Sequence, residues 1–433
     1  MACALLQGPQ QVVIPTPPPT LPSAIGGGAI PENAIIDPVS NVEIRIDPMI
    51  SNLMSDVSQQ QLLGYVQTLE SFGTRNTFSA VDREGEGIGA ARRWIFNEFI
   101  RVGSGRLLVE IDEFPLNQNG ISYPQQNIVA TLPGNGTHPG AIVITAHYDS
   151  RAIDPNDGFS FAPGANDNGS GVALLLEMAR VMSSRDWNQT IIFLATSGEE
   201  QGRHGSIHFV TERMLGGLQV DAAINNDIIG GHAGIPQYLR MFAPGPSDSQ
   251  PRQLARYIEF INANYAPNFP ITWVDGVDRP ERWGDQISFF QAGLPAVRMV
   301  ESEENRDFQH NSADTSEKLD YNYLRQVVQT NVATVANMAG APAKPAAPNV
   351  TRTDQPGTYS ITWAPDPNAS GYAISFRPIN EEFYSSFRFV NGRQAGNIVL
   401  TGLDANTTYA VSIAALDGNG RISLFSPEII VGP

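Results

Sequence analysis

Cysteine and lysine are nearly missing from this chain of 433 residues. Cys3 is the single cysteine, so an intrachain disulfide and a zinc site built from thiolates are both excluded. Lys318 and Lys344 are the only lysines, and arginine carries most of the positive charge. A transition-metal site in this protein would therefore draw its side-chain ligands from histidines and carboxylates.

Positive charge as a whole is also scarce. The chain has 27 Lys and Arg residues against 44 Asp and Glu residues, which gives a formal net charge of −17 at pH 7. This charge repels nucleic acid and anionic lipid, so we expect neither as a partner. It suits a bound cation, although most of these carboxylates are expected on the solvated surface.

Long apolar runs are absent as well. No stretch is long enough to span a bilayer, so we predict no transmembrane segment. The start, "MACALLQGPQQVVIPTPPPTLPS", lacks a charged n-region and a full h-region, and no intact signal peptide is visible. It is compatible with the remnant of a signal peptide, with a lipoprotein anchored through Cys3, or with a stray cysteine in a floppy terminus.

Composition and periodicity divide the chain into four parts. Residues 1–46 form a tether rich in Pro and Gly, and residues 341–346 form a Pro/Ala linker. In residues 47–340, apolar strands such as "GAIVITAHY" alternate with helical patterns such as "SGVALLLEMARVMSS". We predict an α/β domain here, with three αβα layers and a mostly parallel central sheet. Residues 347–433 show short alternating strands and turns, which predicts an all-β sandwich.

Histidines and carboxylates collect where the predicted strands end. In open parallel sheets, ligands bind beyond the carboxyl ends of the strands, so polar residues at these positions are candidates for a binding site. "AIVITA", "IIFLATS" and "DAAIN" each end near such residues, and the loops "GANDNGSG" and "FQHNSADTSEK" add more. The full set is His147, Asp149, Asp167, Glu199, Glu200, Asp227, His310 and Asp314.

Four of these carboxylates, Asp167, Glu199, Glu200 and Asp227, would crowd into one cleft. Two like charges about 4 Å apart repel by roughly 4 kcal/mol at an intermediate effective dielectric, so protons or cations must compensate the cluster. Imidazole and carboxylate ligands favour zinc, with cobalt or manganese possible, and five ligands suit a metal pair. Each residue alone is more often a cap, a turn former or a surface charge, and only their co-occurrence favours a metal centre.

The motifs "AHYDS", "GANDNGSGV", "ATSGEEQGRHGS", "NNDIIG" and "HNSADTSEKLD" resemble those of the M28 family of zinc exopeptidases, of the bacterial secreted aminopeptidase type. The resemblance covers residues 51–339. It implies a metallopeptidase domain over residues 47–340 that holds two zinc ions. It implies that the ions are bound by His147, Asp167, Glu200, Asp227 and His310.

The resemblance also implies individual roles. His147 and Asp227 would bind one zinc, Glu200 and His310 the other, and Asp167 would bridge the two. Glu199 would act as the general base. Asp149 would be the carboxylate that orients His147, and Asp314 would do something similar near His310.

Two departures from the family pattern are present. The family often has Ser-Asp-His where this chain has Gly284, Asp285 and Gln286, and an aromatic residue where it has Gln309. Neither position supplies a metal ligand, so catalysis is expected to survive, but substrate preference and transition-state contacts are put in doubt. Arg298 is either a clamp for a substrate carboxylate or, more simply, an ion-pair partner of a nearby acid.

One histidine pair was rejected as a metal site. His204 and His208 lie four residues apart on a predicted helix, as zincin ligands do, but position 205 is glycine, so the HExxH template fails.

The C-terminal part, residues 347–433, resembles a fibronectin type III domain. Trp363 in "SITWAP" fits the buried tryptophan, and Leu403 and Tyr409 fit the tyrosine corner. Such modules are common on exported bacterial enzymes, which implies an extracytoplasmic location: secreted, periplasmic or anchored by lipid. The module could bind a surface or polymer, or serve only as a spacer.

The function that these features favour is an aminopeptidase that acts on peptides with a free N-terminus. An acidic cleft favours the cationic amine of such a substrate. Two alternatives remain: a glutaminyl cyclase of the same fold, against which His147 argues, and a receptor or adhesion protein that binds through the sandwich.

Overall fold

The structure is a computed structural model that describes residues 45–280, 282–384, 386–392 and 396–432. The predicted tether, including Cys3, lies outside the described residues except for its last two positions. The α/β part has helices α1–α8: Pro48–Ser55, Gln59–Ser71, Gly87–Gly103, Ser170–Met182, His204–Leu215, Gln250–Tyr265, Gln286–Gln291 and Tyr321–Gly340. Its strands β1–β8 are Leu108–Gln118, Ile121–Leu132, Ala141–His147, Thr190–Thr196, Val220–Asn226, Leu239–Phe242, Ile271–Val274 and Ala296–Glu301.

These strands form one sheet in the order β1-β2-β4-β3-β5-β8-β6-β7. The four neighbouring strands β4, β3, β5 and β8 pair in parallel, as do β6 and β7. Antiparallel pairs join β1 to β2, β2 to β4, and β6 to β8. The predicted three-layer fold with a mostly parallel central sheet is confirmed, with antiparallel pairs on both sides of the parallel centre.

Helices cover both faces of the sheet because its central strands are apolar on both faces. Every residue of β3 is buried. Ile142 and Ile144 pack in the cluster that includes α2, α3, α4 and α8, whereas Val143 packs with α5 and α7 on the opposite face. The parallel register aligns His147 with Thr196 and Thr145 with Asn225, so β3, β4 and β5 end at one edge.

Three short elements were not predicted: β6, β7 and α7. The two strands have four residues each and α7 has six, so none provides enough periods of a pattern to stand out from the surrounding loops.

Strands β9–β15 form the second domain: Asn349–Arg352, Tyr359–Thr362, Gly371–Pro378, Ser386–Asn391, Asn397–Leu400, Tyr409–Leu416 and Ile429–Val431. They make two antiparallel sheets, β13-β10-β9 and β12-β11-β14-β15, so the predicted all-β sandwich is confirmed. The Tyr409 hydroxyl accepts a hydrogen bond from the Asp404 N–H at 3.2 Å. Trp363 packs against the sandwich core but is only half-buried.

The sandwich packs directly on the α/β part. Phe387 and Phe425 of the sandwich lie 5.0 Å and 6.3 Å, between ring centroids, from Phe260 on α6. They belong to the same apolar cluster as the main core. The Asn337 Nδ2 on α8 donates to the Ile422 carbonyl at 2.8 Å. The sandwich is therefore docked on α6 and α8 through a shared core.

Among the described residues, no helix has both the length and the apolar character needed to cross a membrane.

Candidate metal centre

The ends of the central strands and two loops bring the predicted ligands into two groups. His147, Asp167 and Asp227 form one group, and Asp167, Glu200 and His310 form the other. Within each group, one ligand atom per residue lies within 4.8 Å of the others. Asp167 belongs to both, since its Oδ1 is 3.3 Å from His147 Nε2 and its Oδ2 is 3.0 Å from His310 Nε2. The structure thus gathers all five residues around one shared carboxylate.

His147 is held in the orientation that a metal ligand needs. Its Nδ1 lies 3.0 Å from the main-chain oxygen of Asp149, an acceptor, so the ring donates its Nδ1–H there. The Nε2 atom then points at Asp167 and at Asp227, whose Oδ1 is 3.4 Å away.

Asp149 acts through two different groups. Its carboxylate was expected to orient His147, but its nearest carboxylate oxygen is 3.6 Å from His147 Nδ1. The carboxylate instead accepts hydrogen bonds from the N–H groups of Glu199, at 3.2 Å, and Glu200, at 3.1 Å. Asp149 therefore orients His147 by its carbonyl and fixes the turn after β4 by its side chain.

Asp314 supports Asp167, whereas the sequence placed its role near His310. Its two carboxylate oxygens accept the N–H groups of Asn166, at 2.7 Å, and Asp167, at 3.0 Å. These bonds fix the turn Ala165–Gly169 that carries Asp167, the residue common to both groups. Burial raises the pKa of Asp314 to about 7, and this effect outweighs the two backbone hydrogen bonds, which act to lower the pKa.

Two further residues that hold this turn were missed from the sequence. The fully buried Arg75 donates its Nη2 to the Gly164 carbonyl at 2.8 Å and its Nε to the Tyr148 carbonyl at 2.7 Å. Glu301 Oε2 accepts hydrogen bonds from Asn166 Nδ2, at 3.0 Å, and from the Gly231 N–H, at 2.7 Å. Arg75 lies in a short polar turn, "GTRNT", which gives no local signal of burial.

Each group of ligands has one arginine beside it. Arg151 donates its Nε to Glu200 Oε2 at 2.8 Å, and its Nη2 lies 2.7 Å from His310 Nδ1. Arg298 is fully buried between Asp227, 2.8 Å away, and Asp278, 2.6 Å away. Of the two roles considered for Arg298, the structure gives it that of the ion-pair partner. Arg151, which directly follows "AHYDS" in the sequence, is a further residue of the site that the sequence pattern does not indicate.

The ionisable groups perturb one another strongly. Burial would raise the pKa of Asp167, but hydrogen bonds from His147 and His310 hold it well below its ordinary value. Burial raises the pKa of Glu200 to about 7, and the Asp167 charge adds to this effect. Burial also raises the pKa of Glu199 well above its ordinary value, against the opposing effect of His147. Such shifts are concentrated at functional sites.

These residues fit a metal. Within the described part of the chain, the buried Glu200 Oε1 has no hydrogen-bond partner, and it lies 3.5 Å from His310 Nε2. Unpartnered buried carboxylate oxygens are rare because desolvation makes them costly. The donor set of imidazole nitrogens and carboxylate oxygens is one that zinc binds well.

The positions that depart from the family pattern contact polar residues near the strand ends and in the loop before His310. Gln286 Oε1 accepts from Asn225 Nδ2 at 2.9 Å, and Asp285 accepts from Thr196 at 2.5 Å. A Cβ atom at Gly284 would lie 2.5 Å from Gln286 Oε1, so this glycine accommodates the glutamine. Gln309 Nε2 donates to Glu304 at 3.1 Å.

The rejected histidine pair is not a metal site in the structure. His208 Nε2 lies 3.4 Å from Asp112, and its ring stacks on Phe114 with centroids 5.2 Å apart. His204 faces a different groove, beside Glu200.

Comparison with known proteins identifies both domains. Residues 127–335 match the model of peptidase family M28, and residues 343–431 match the fibronectin type III domain. A probable zinc metalloprotease of the fungus Pyricularia oryzae is 30% identical over 418 residues, which cover 86% of this chain and 83% of that protein. This relative is fungal, whereas the sequence motifs suggested a bacterial type.

Solved structures share the fold at lower identity. The LapA aminopeptidase of Legionella pneumophila is 22% identical, with a TM-score of 0.55 over 69% of this chain and 76% of its own. The glutaminyl cyclase of Porphyromonas gingivalis is 23% identical, with a TM-score of 0.53 over 65% of this chain and 98% of its own. The fold alone therefore does not separate these two activities.

Proposed function

Because this chain belongs to peptidase family M28 and carries a fibronectin type III domain, we propose that it is a two-zinc aminopeptidase that releases N-terminal residues from peptides. The observation that carries the proposal is the pair of residue groups that share Asp167, beside which the buried Glu199 interacts electrostatically with His147, Glu200 and Asp227. The coarser assignment, a peptidase domain related to zinc metalloproteases, follows from the family. The number of metals and the exopeptidase specificity are the proposed part.

The ligands divide between two positions. His147 and Asp227 would hold one zinc ion, Glu200 and His310 the other, and Asp167, which lies near both histidines, would be shared between the two. Cobalt or manganese could substitute, since both accept the same donors. Zinc, when bound, supplies a Lewis acid that polarises the scissile carbonyl and favours deprotonation of the attacking water.

Glu199 is the proposed general base and acid. Burial has raised its pKa well above the ordinary value, so its carboxylate can accept a proton from the attacking water and later deliver it to the leaving amine. The Asp149 carboxylate fixes the Glu199 main chain at 3.2 Å, which keeps the base in place during both transfers.

Charge in the cleft favours an amine rather than a carboxylate at the substrate terminus. Among the described residues, both arginines that contact predicted ligands are already engaged: Arg298 with Asp227 and Asp278, and Arg151 with Glu200 and His310. Neither is a free clamp for a C-terminal carboxylate, which argues against a carboxypeptidase. The protonated N-terminus of a peptide is attracted by the acids that remain.

The location of the protein remains a proposal. We infer an extracytoplasmic address, secreted, periplasmic or anchored by lipid, from the fibronectin type III domain attached to a peptidase. Fractionation of expressing cells, followed by detection of the full chain, tests it.

The activity test combines metal analysis with substrate pairs. The purified full chain is loaded with zinc, and metal content and release of p-nitroaniline from aminoacyl p-nitroanilides are measured. We expect two zinc ions per chain, activity that a chelator abolishes, and no release from N-acetylated substrates. Cyclisation of N-terminal glutamine without amide hydrolysis would support a cyclase instead. Bound zinc without either activity would support a binding protein.

A further inference from the structure

A groove of about 400 Å³ borders the candidate metal centre, since Glu200, one of the predicted ligands, contributes to its lining. Its walls are the tip of the β1–β2 hairpin, the segment around Asn156, and the turn from Glu200 to His204. Two side-chain hydrogen bonds tie these walls together: Gln118 Nε2 to Asn156 Oδ1 at 2.6 Å, and Gln201 Nε2 to the Pro155 carbonyl at 2.8 Å. The groove is thus a built feature that is continuous with a proposed metal ligand.

Two polar side chains in this groove are free. Over the described ranges, neither the side-chain amide of Asn117 nor the His204 imidazole has a hydrogen-bond partner in the protein, although both residues line the groove. Of the two histidines four residues apart, His204 is the one whose ring has no side-chain partner, since His208 is engaged with Asp112 and Phe114. Glu200 is the only charged side chain in the lining.

These groups match the main chain of a peptide. Amide and imidazole groups both donate and accept, as required by the alternating N–H and C=O groups of an extended chain. A lining with so little charge selects weakly among side chains. The main chain of an aminopeptidase substrate continues only downstream of the scissile bond, so a groove that borders Glu200 is placed to receive that part of it.

We propose that this groove binds the main chain of the peptide segment that follows the scissile bond, and that Asn117 and His204 are substrate-binding residues. The inference rests on the proposed aminopeptidase activity and adds a substrate class: oligopeptides in preference to dipeptides.

The test compares two C-terminally amidated substrates with the same scissile bond, Leu-Gly-NH₂ and Leu-Gly-Gly-Gly-NH₂. Because the longer peptide can form additional neutral hydrogen bonds in the groove, we expect its kcat/KM to be roughly tenfold higher. In the double variant Asn117→Ala, His204→Ala, this ratio should fall close to one. Each single variant should lose part of it, which guards against misfolding of the double variant.

His208→Ala is the matched control, because it removes the same residue type from the same helix outside the groove. Its ratio should equal that of the wild type. A wild-type ratio near one, or an unchanged ratio in the double variant, overturns the inference while leaving the aminopeptidase intact. Failure to cleave either peptide or any aminoacyl p-nitroanilide overturns the aminopeptidase, and the inference with it.

Discussion

The candidate metal centre and the contact between the two domains both bury charged side chains, but they balance those charges differently. In the interdomain cluster, Glu428 pairs with Arg377 at 2.7 Å and Arg256 at 3.6 Å, and accepts a hydrogen bond from the Tyr384 hydroxyl at 2.8 Å. Glu428, Arg377 and Arg256 are each 1% exposed, and a second acid, the partly exposed Glu382, lies 3.4 Å from Arg256 and balances the second arginine. In the metal centre, acids predominate, and Glu200 Oε1 has no partner in the described part of the chain.

The difference separates structural charge from functional charge. A buried ion pair that is complete within the chain needs nothing else and mainly fixes geometry. A buried cluster with surplus carboxylates is unfavourable alone and is explained by a cation that it binds. Balance of charge, rather than burial or pKa shift alone, distinguishes the two regions.

The contact also bears on the role of the fibronectin type III domain. The outer face of its four-stranded sheet, including Ala373, Phe387 and Ala414, packs in the main core against the peptidase helices. Surface or polymer binding, if the domain has it, would therefore use another face. A freely swinging spacer does not fit this packing.

The largest expected effect comes from the shared ligand of the metal centre. Asp167→Asn removes the one carboxylate that both ligand groups contain, so zinc binding at both positions and hydrolysis should be lost together. Metal analysis after dialysis and p-nitroanilide hydrolysis check this. Asp186→Asn, at a side chain that is 92% exposed, serves as the control. Two zinc ions retained by Asp167→Asn would contradict a bridging role.

Glu199→Gln should lower kcat by about 10²–10⁴, the usual effect of losing a general base. Zinc content should stay at the wild-type level, because Glu199 is not among the grouped ligands. Steady-state kinetics on the zinc-loaded variant, with metal analysis of the same sample, give both numbers. A kcat within twofold of the wild-type value would show that another group acts as the base.

Breaking the balanced cluster should affect stability instead of chemistry. Glu428→Gln leaves Arg377 and Arg256 without their buried acid and should destabilise the fold by about 3–5 kcal/mol. The control is Glu86→Gln, which removes an exposed ion pair with Arg83 and should change stability by less than about 1 kcal/mol. Urea unfolding measures both. If the two variants lowered the free energy of unfolding equally, Glu428 would not be the buried ion-pair partner of both arginines.

The smallest expected effect is on the pH dependence of stability, and it comes from the buried Glu301. Burial raises its pKa to about 8, above its ordinary value of 4.5, so the folded state keeps a proton that the unfolded chain releases. Stability from this group is present below pH 4.5 and is lost as pH rises to about 8. Glu301→Gln should therefore gain roughly 1–3 kcal/mol over wild type between pH 5 and pH 9, measured by urea unfolding at equal zinc. A pH-independent difference would contradict the buried neutral form.

Much of the fold and of the site could be predicted because it depends on local pattern. The apolar runs before His147, Glu199 and Asp227 identify the central strands, and parallel pairing places their carboxyl ends together. The roles of Asp149 and Asp314 were less accessible, because a carboxylate beside a histidine in sequence can bond to any N–H within reach. The strands β6 and β7 could not be predicted, because each is too short to show a repeating apolar pattern.

The sequence by itself determined the layers of the α/β domain, the β sandwich and the types of ligand, because side-chain periodicity and strand ends are local properties. Only the tertiary structure decided that Asp167 lies 3.0 Å from His310, that Arg151 donates a hydrogen bond to Glu200, and that the sandwich shares the peptidase core. Those contacts join segments far apart in the chain. They depend on how helices and loops pack in three dimensions, which periodicity does not encode.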